Sequence, residues 1–209
     1  MASLVLLSYL VLSTTVAPAF ANLEQATAEK NIVRTERAIQ NDLQNLSATV
    51  GDWAPWDDAH AFARGENPGF PRSNLDLPTM VNLDVDLLVI YNAKGDVLWC
   101  HLLQDGKSVE YDSLGILGSD SPETARLIYH REFGSRVEGL VQTDLGPMQL
   151  SSQPIIMSDK SGPIAGTMLM GRFFDDATRE ALEERTEVSL NVAGFTAHDS
   201  TETDSPSRE

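Results

Sequence analysis

The sequence is poor in cysteine and in positive charge. Cys100 is the only cysteine, so the chain alone can form neither a disulfide nor a cysteine-based zinc site. It lies within an apolar strand-like pattern, and we expect it to be a small buried hydrophobe. The chain has only 15 Lys and Arg but 31 Asp and Glu, which gives a net charge of −16. Binding to nucleic acid or to anionic lipid needs concentrated positive charge, so the composition argues against both partners.

Catalytic and metal-binding motifs are also missing. No Gly-x-Ser-x-Gly nucleophile elbow occurs in the sequence. The segment Asp105-Gly-Lys-Ser108 has no glycine five residues before Gly106, so we interpret it as a polar loop and not as a phosphate-binding loop. The histidines are scattered and are expected to be exposed or half buried; they are His60, His101, His130 and His198. We therefore expect no catalysis, no metal and no cofactor in this chain.

Residues 2–21 contain no charged residue. About 20 apolar residues in a helix are enough to cross a bilayer. The run ends in Ala19-Phe20-Ala21, which fits a signal-peptidase site, but no Lys or Arg precedes it. This favours an uncleaved membrane anchor over a cleaved signal segment, and both alternatives place the remainder outside the cytoplasm. We assign residues 1–22 to this segment, with membrane contact through residues 2–21.

A long helix is predicted for residues 23–50. Its apolar residues repeat at spacings of seven, four, three and four; they are Ile32, Ile39, Leu43, Leu46 and Val50. Such a narrow seam on a polar helix either packs on its own domain or pairs with the same helix of a second subunit. Gly51 then offers a C-terminal stop for the helix.

The remainder alternates between helix and strand patterns. The predicted elements are a loop at 63–79, strands at 85–91 and 96–103 around a turn at 92–95, a helix at 121–133 closed by Gly134, strands at 137–143, 148–157 and 164–174, a helix at 175–185 and a strand at 187–192. Short antiparallel connections indicate an α+β fold, with one sheet and helices on one side. Residues 196–209 lack apolar anchors, so we expect a disordered acidic tail.

Two features call for a specific function. Trp53-Ala-Pro-Trp-Asp-Asp58 places two of the three tryptophans in one turn, either as a packing latch or as the wall of a recognition site. Its adjacent aspartates project in different directions, which disfavours paired catalysis. Arg172 lies in an apolar strand pattern and needs a partner if buried. That partner is a ligand carboxylate or one of Asp57 and Asp58; otherwise Arg172 points outward.

These features resemble the fourth type of CHASE domain, a family of extracytoplasmic sensor modules in bacterial and archaeal signalling receptors. The resemblance covers about residues 23–195. It rests on Trp53–Asp58, Phe62, Asn74-Leu75, the strand 85–91 with Gly95 in its turn, Pro154-Ile-Ile156, Gly162–Gly166, Gly171-Arg172 and Arg185–Leu190.

The resemblance implies a long N-terminal helix followed by a PAS-like or Cache-like antiparallel sheet with flanking helices. It also implies a non-enzymatic sensor of a membrane receptor, a homodimer formed through the N-terminal helix, and an undefined small-molecule ligand. Family members precede histidine kinase, diguanylate cyclase or cyclic-di-GMP phosphodiesterase modules. No such module precedes Glu209, so we expect the output activity to lie outside this chain.

The expected ligand site lies where the tryptophan turn meets the sheet. Its candidate residues are Trp53, Trp56 and Phe62 as apolar walls, with Asp57, Asp58, Asn74 and Arg172 as polar contacts. The alternative is that the same residues only fasten the long helix to the sheet. A different class of function also remains open, namely an exported or anchored interaction module that dimerises through its long helix.

Overall fold

The computed structural model describes residue 9, residues 12–115 and residues 122–190. Ten residues of the predicted anchor (1–8, 10 and 11), residues 116–121 and the tail from residue 191 lie outside this part. Helix α1 spans Ala17–Trp53 and follows a π-helical turn at Leu12–Val16. Within the described ranges, no helix has the length and apolarity needed to cross a membrane.

Helix α1 confirms the predicted long helix and exceeds it at both ends. The predicted stop at Gly51 is wrong, because the helix continues and the Ala54 N–H still bonds to the Val50 carbonyl at 2.8 Å. Glycine is present for a packing reason instead. A Cβ atom at position 51 would lie 3.3 Å from Oε1 of Gln153, on the sheet beneath.

Three short helices follow α1: α2 at Asp57–Ala63, α3 at Phe70–Asn74 and α4 at Leu77–Leu83. The prediction of a loop at 63–79 is therefore wrong. Pro71 and Pro78 lie in the first turns of α3 and α4, where a missing N–H costs no helical hydrogen bond. Asp76 caps α4 by accepting a 3.0 Å hydrogen bond from the Thr79 N–H.

One antiparallel sheet of six strands forms the centre, in the order β3-β2-β1-β6-β5-β4. The strands are β1 (Leu87–Asn92), β2 (Val97–Gln104), β3 (Lys107–Val109), β4 (Val137–Thr143), β5 (Gly146–Ile155) and β6 (Gly166–Phe173). The predicted α+β class, the first hairpin and the three later strands are confirmed. Gly95 adopts φ +87° in the hairpin turn, as expected.

Strand β3 was missed because Asp105-Gly106 was interpreted as a loop. Both residues have positive φ, 50° and 70°. This is the backbone of a two-residue hairpin turn, for which Asp-Gly is a favoured pair.

The last two helices are α5 (Pro122–Ile128) and α6 (Asp176–Thr186). Helix α5 ends well before the predicted closure at Gly134. Asp175 caps α6 as predicted, since its Oδ1 accepts from the Thr178 N–H at 2.8 Å. The predicted final strand at 187–192 is wrong over its described part. Glu187 has φ 55° and ends α6, and no strand follows up to Leu190.

The sheet is buried on both faces. Side chains alternate between the two faces along a strand. Leu88 and Ile90 of β1 therefore join the core on the face covered by α1–α4, and we call this face of the sheet the helical face. Leu87 and Val89 join a second core on the opposite face. The 3₁₀ turn Tyr111–Leu114 and α5 contribute to that second core. The expectation that helices cover only one side is therefore wrong.

The apolar seam of α1 is divided between two environments. Leu43, Leu46 and Val50 are buried, the last two in the core of the helical face, whereas Ile32 is 66% exposed. The C-terminal half of the seam thus packs on its own domain. Asp42 fixes α6 to this half through two hydrogen bonds from Arg185, at 2.9 and 2.6 Å.

Candidate functional site

The tryptophan turn connects the end of α1 to α3 through aromatic contacts. The ring of Trp53, the last residue of α1, meets Trp56 edge-on at 5.3 Å between centroids. Trp56 meets Phe70 in the same geometry at 5.8 Å, and Phe70 meets Phe62 at 5.8 Å. Phe70 is fully buried, while Trp56 is 37% exposed. We name Trp53, Trp56, Phe70 and Phe62 the aromatic chain.

The polar residues of the turn hold neighbouring loops. Asp57 Oδ1 accepts from the Ser158 N–H at 2.8 Å, and Asp58 Oδ1 accepts from the Asn67 amide at 3.3 Å. Both aspartates are exposed and have different partners. His60, expected exposed or half buried, is buried, with Nε2 3.2 Å from the Pro163 carbonyl. The turn therefore acts at least as a latch between α2 and the loop after β5.

Asn74 and Arg172 do not reach the tryptophan turn. Asn74 Nδ2 donates to the Phe70 carbonyl at 3.0 Å within its own helix. Arg172 donates from Nε to the Asp84 carbonyl at 2.6 Å, and its Nη2 lies 3.1 Å from Asp84 Oδ2. The alternative in which Arg172 pairs with Asp57 or Asp58 is wrong, because Asp84 at the end of α4 is the carboxylate that pairs with it.

An open groove of about 780 Å³ lies between the α2–α4 segment and strand β2. We call it the β2 groove. It is lined by Phe62, Pro68, Gly69, Pro71, Arg72, Leu75, Asp76, Leu98, Trp99 and His101. Of the predicted site residues only Phe62 lines it. Phe62 is also one end of the aromatic chain, so the other members of the chain pack behind this wall residue.

A β-bulge shapes the β2 side of the groove. Ile90 pairs with Trp99 and the next residue, Tyr91, pairs with Val97, so Leu98 has no opposite partner. The extra residue breaks the alternation of side chains, and Leu98 and Trp99 both line the groove although they are consecutive. Two neighbouring apolar side chains of one strand thus form one wall.

The polar groups of the groove differ in how they are engaged. His101 Nε2 lies 2.9 Å from the Ser108 hydroxyl, and its ring meets Trp99 edge-on at 6.0 Å. Asp76 accepts from the hydroxyl and the N–H of Thr79, and these hydrogen bonds lower the pKa of its carboxyl. Arg72 is exposed and forms no ion pair with any described carboxylate. The groove therefore combines apolar walls with an uncommitted guanidinium.

Sequence reasoning missed Trp99, His101 and Arg72. One available signal was the third tryptophan, two residues before a histidine in a predicted strand, where both side chains share a face. Arg72 had no signal, because it lay in a segment interpreted as a loop.

Cys100 is the nucleophile candidate among the residues that the structure describes. Cys100 is half buried, and burial together with the nearby Asp112 raises the pKa of its thiol to about 12. The thiolate needed for nucleophilic chemistry is therefore disfavoured at neutral pH. Among the residues that the structure describes, no group of three or more His, Cys, Asp or Glu could hold a metal ion.

The chain is similar to known proteins in three comparisons. The CHASE4 domain profile matches residues 38–193. The methanogenesis regulatory histidine kinase FilI of Methanothrix harundinacea (strain 6Ac) is 30% identical over 176 residues. That match covers 83% of this chain but spans only 19% of FilI. Among solved structures, the periplasmic domain of Vibrio cholerae LuxQ aligns at 12% identity and a TM-score of 0.46, over 77% of this chain and 70% of that one.

Proposed function

The chain belongs to the CHASE4 domain family, and we propose that it is the non-enzymatic, extracytoplasmic ligand-sensing domain of a membrane signal-transduction receptor. The receptor type that we propose is a histidine kinase, because the relative FilI carries that name. A cyclic-di-GMP cyclase or phosphodiesterase is the other output that the family resemblance suggests. The catalytic step belongs to a module other than this domain.

The observation that carries the proposal is the β2 groove. Its volume lies within the range of about 300–1,000 Å³ that is usual for small-molecule sites. Its lining is mainly apolar with a few polar groups, as such sites require. Phe62 belongs both to the groove wall and to the aromatic chain, so a ligand that moves Phe62 acts on residues in contact with Trp53 of α1. Helix α1 is therefore the proposed signalling element.

Ligand binding is tested by thermal denaturation of the full chain against a library of small molecules. A ligand at one hundred times its Kd stabilises the folded state by about 2.7 kcal/mol, which raises the Tm measurably. We expect stabilising compounds whose effect is lost in Trp99→Ala and kept in Phe133→Ala, an exposed aromatic control outside the groove. The proposal fails if no compound stabilises the chain, or if Trp99→Ala leaves every stabilisation unchanged.

The extracytoplasmic location has its own test, which is N-terminal sequencing of the exported protein. A mature chain that begins at Asn22 indicates a cleaved signal segment. An intact N-terminus in the membrane fraction indicates an anchor. Retention of the chain in the cytoplasm contradicts both.

Homodimerisation through α1 is a second proposal, supported by the exposed half of the seam. Ile32 is 66% and Val33 is 43% exposed, and a shallow apolar groove beside Ile32 also includes Val188 and Leu190. Sedimentation equilibrium is expected to show a dimer that Ile32→Asp weakens at least tenfold. The matched control is Val81→Asp, which changes a residue of α4 with similar exposure, 65%. A monomeric wild-type chain rejects the proposal.

A further inference from the structure

Arg72 at the edge of the β2 groove has unused hydrogen-bonding capacity. A guanidinium carries five N–H donors and cannot lose its charge in a protein. Five other arginines, at positions 34, 64, 172, 179 and 185, form ion pairs within the described part of the chain. Arg72 forms none, and neither do Arg37, Arg126, Arg131 and Arg136, but of these five only Arg72 lines the β2 groove.

Trp99 also leaves a donor unmatched, because its indole N–H has no hydrogen-bond partner among the described residues. His101 faces Ser108 through Nε2, and whether its Nδ1 donates or accepts depends on the tautomer. Asp76 accepts both Thr79 donors at Oδ1, and its Oδ2 has no hydrogen-bond partner among the described residues. A ligand that engages the donors of Arg72 must itself supply acceptors, and the strongest acceptor for a guanidinium is an anion.

The negative charge around Arg72 limits how much negative charge that anion can carry. Asp76 lies in the lining itself, and the chain carries a net charge of −16. A doubly charged phosphate would meet repulsion from both, and one arginine would compensate only half of its charge. A single carboxylate matches the single guanidinium, which it can bind through two parallel hydrogen bonds.

A carboxylate alone would leave most of the groove volume unfilled, so the ligand needs a larger body. Phe62, Leu75, Leu98 and Trp99 supply apolar walls, and the bulge presents two of them side by side. We infer that the β2 groove binds small monocarboxylates with an apolar, ring-sized body, the carboxylate at Arg72 and the body against Leu98, Trp99 and Phe62. This inference rests on the proposed sensing function and names the ligand class of the same groove.

Isothermal titration of the full chain with three probes of one shape tests the ligand class. The probes are indole-3-acetate, its neutral amide indole-3-acetamide, and the cationic tryptamine. We expect the carboxylate to bind at least tenfold more tightly than the amide or the amine. Arg72→Gln is expected to remove this preference and to leave the affinity for the amide unchanged. The control Arg126→Gln removes the same charge from exposed α5, on the opposite face, and is expected to change neither affinity.

The possible results separate the ligand class from the sensing function. A preference for the amide or the amine, with binding that Trp99→Ala abolishes, overturns the carboxylate inference and leaves the groove as a ligand site. Carboxylate binding that Arg72→Gln and Arg126→Gln weaken equally also overturns it. If none of the three probes binds and the compound library gives no stabilisation that depends on Trp99, the proposed sensing function fails together with the inference.

Discussion

Gln153 on β5 donates a 2.6 Å hydrogen bond from its side-chain amide to the main-chain carbonyl of Ser47 in α1. The same amide lies against Gly51, one turn further along the helix. A strand side chain therefore reaches the helix backbone at a position where glycine leaves room for it. The contact fixes both the height and the rotation of α1 over the sheet.

This relationship predicts opposite effects for two glutamines on one face of β5. Gln153→Leu removes the bond to Ser47, so we expect the free energy of unfolding to fall by about 1–3 kcal/mol. Gln149 is fully buried, and neither atom of its amide has a partner among the described residues. Gln149→Leu removes this burial cost, so we expect unfolding free energy to rise by about 1 kcal/mol. Urea denaturation measures both. A loss of stability in Gln149→Leu would show that internal water bridges the amide.

Alanine substitutions at Gly95 and Gly106 distinguish the cost of backbone strain from the cost of steric conflict. Both have positive φ, 87° and 70°, so alanine costs about 1 kcal/mol at either position. A Cβ at Gly106 meets nothing within 4 Å, whereas a Cβ at Gly95 collides with the Tyr129 ring. We expect Gly106→Ala to lose about 1 kcal/mol and Gly95→Ala roughly 2–3 kcal/mol in urea denaturation. In a Tyr129→Ala background the two losses should become equal, and a persisting difference contradicts the steric explanation.

Two members of the aromatic chain, Trp56 and Phe62, should differ in their effects. Trp56 contacts Trp53 and Phe70 but does not line the β2 groove. Trp56→Ala is therefore expected to lower unfolding free energy by about 1–3 kcal/mol and to leave ligand affinity unchanged. Phe62→Ala, within the groove, is expected to weaken the binding of stabilising ligands at least threefold. Calorimetric titration at a temperature where both variants are folded measures the difference. Loss of ligand binding in Trp56→Ala alone would place the ligand at the tryptophan turn.

His130 makes stability depend on pH. Its ring is half buried between the hydroxyls of Ser135 and Ser152, and burial lowers the pKa of the imidazole below its ordinary value of 6.5. As pH falls through 6.5, the unfolded chain binds the proton before the folded chain does, so stability decreases. We expect the decrease between pH 7 and 5 to be smaller in His130→Gln. Parallel pH curves for the two proteins would contradict the prediction.

Local signals in the sequence predicted much of the fold. The Gly95 turn, the Asp175 cap and strand β4 each depend on residues within one turn or one strand. Pro71, Pro78 and Asp105-Gly106 were misinterpreted because proline and glycine are shared by loops, first helical turns and tight hairpins. At each of these positions the local sequence is compatible both with a loop and with the helical turn or hairpin that forms.

The site was harder to predict because it depends on distant contacts. The partners predicted for Arg172 are a ligand carboxylate, Asp57 or Asp58, but its partner in the structure is Asp84, which lies beside it only after β1 and β6 pair. Leu98 and Trp99 share a wall because of a bulge, and no single-strand pattern reveals a register shift. The tryptophan turn has an unusual composition, yet Trp53 and Trp56 do not line the groove, and only the nearby Phe62 does.

The attachments of α1 also determine how motion would travel along it. The bond from Arg34 to the Thr186 carbonyl, 2.8 Å, is the outermost hydrogen bond between α1 and the rest of the described fold. The 17 residues from Ala17 to Val33 extend beyond it, a length of about 25 Å at 1.5 Å per residue. With Thr186 as a pivot, a tilt of about 5° displaces the far end by roughly 2 Å. The helix is thus a lever with arms of similar length, 17 residues beyond the pivot and 20 residues, Arg34–Trp53, over the sheet. A small rearrangement near the groove would therefore reach the far end as a displacement of similar size.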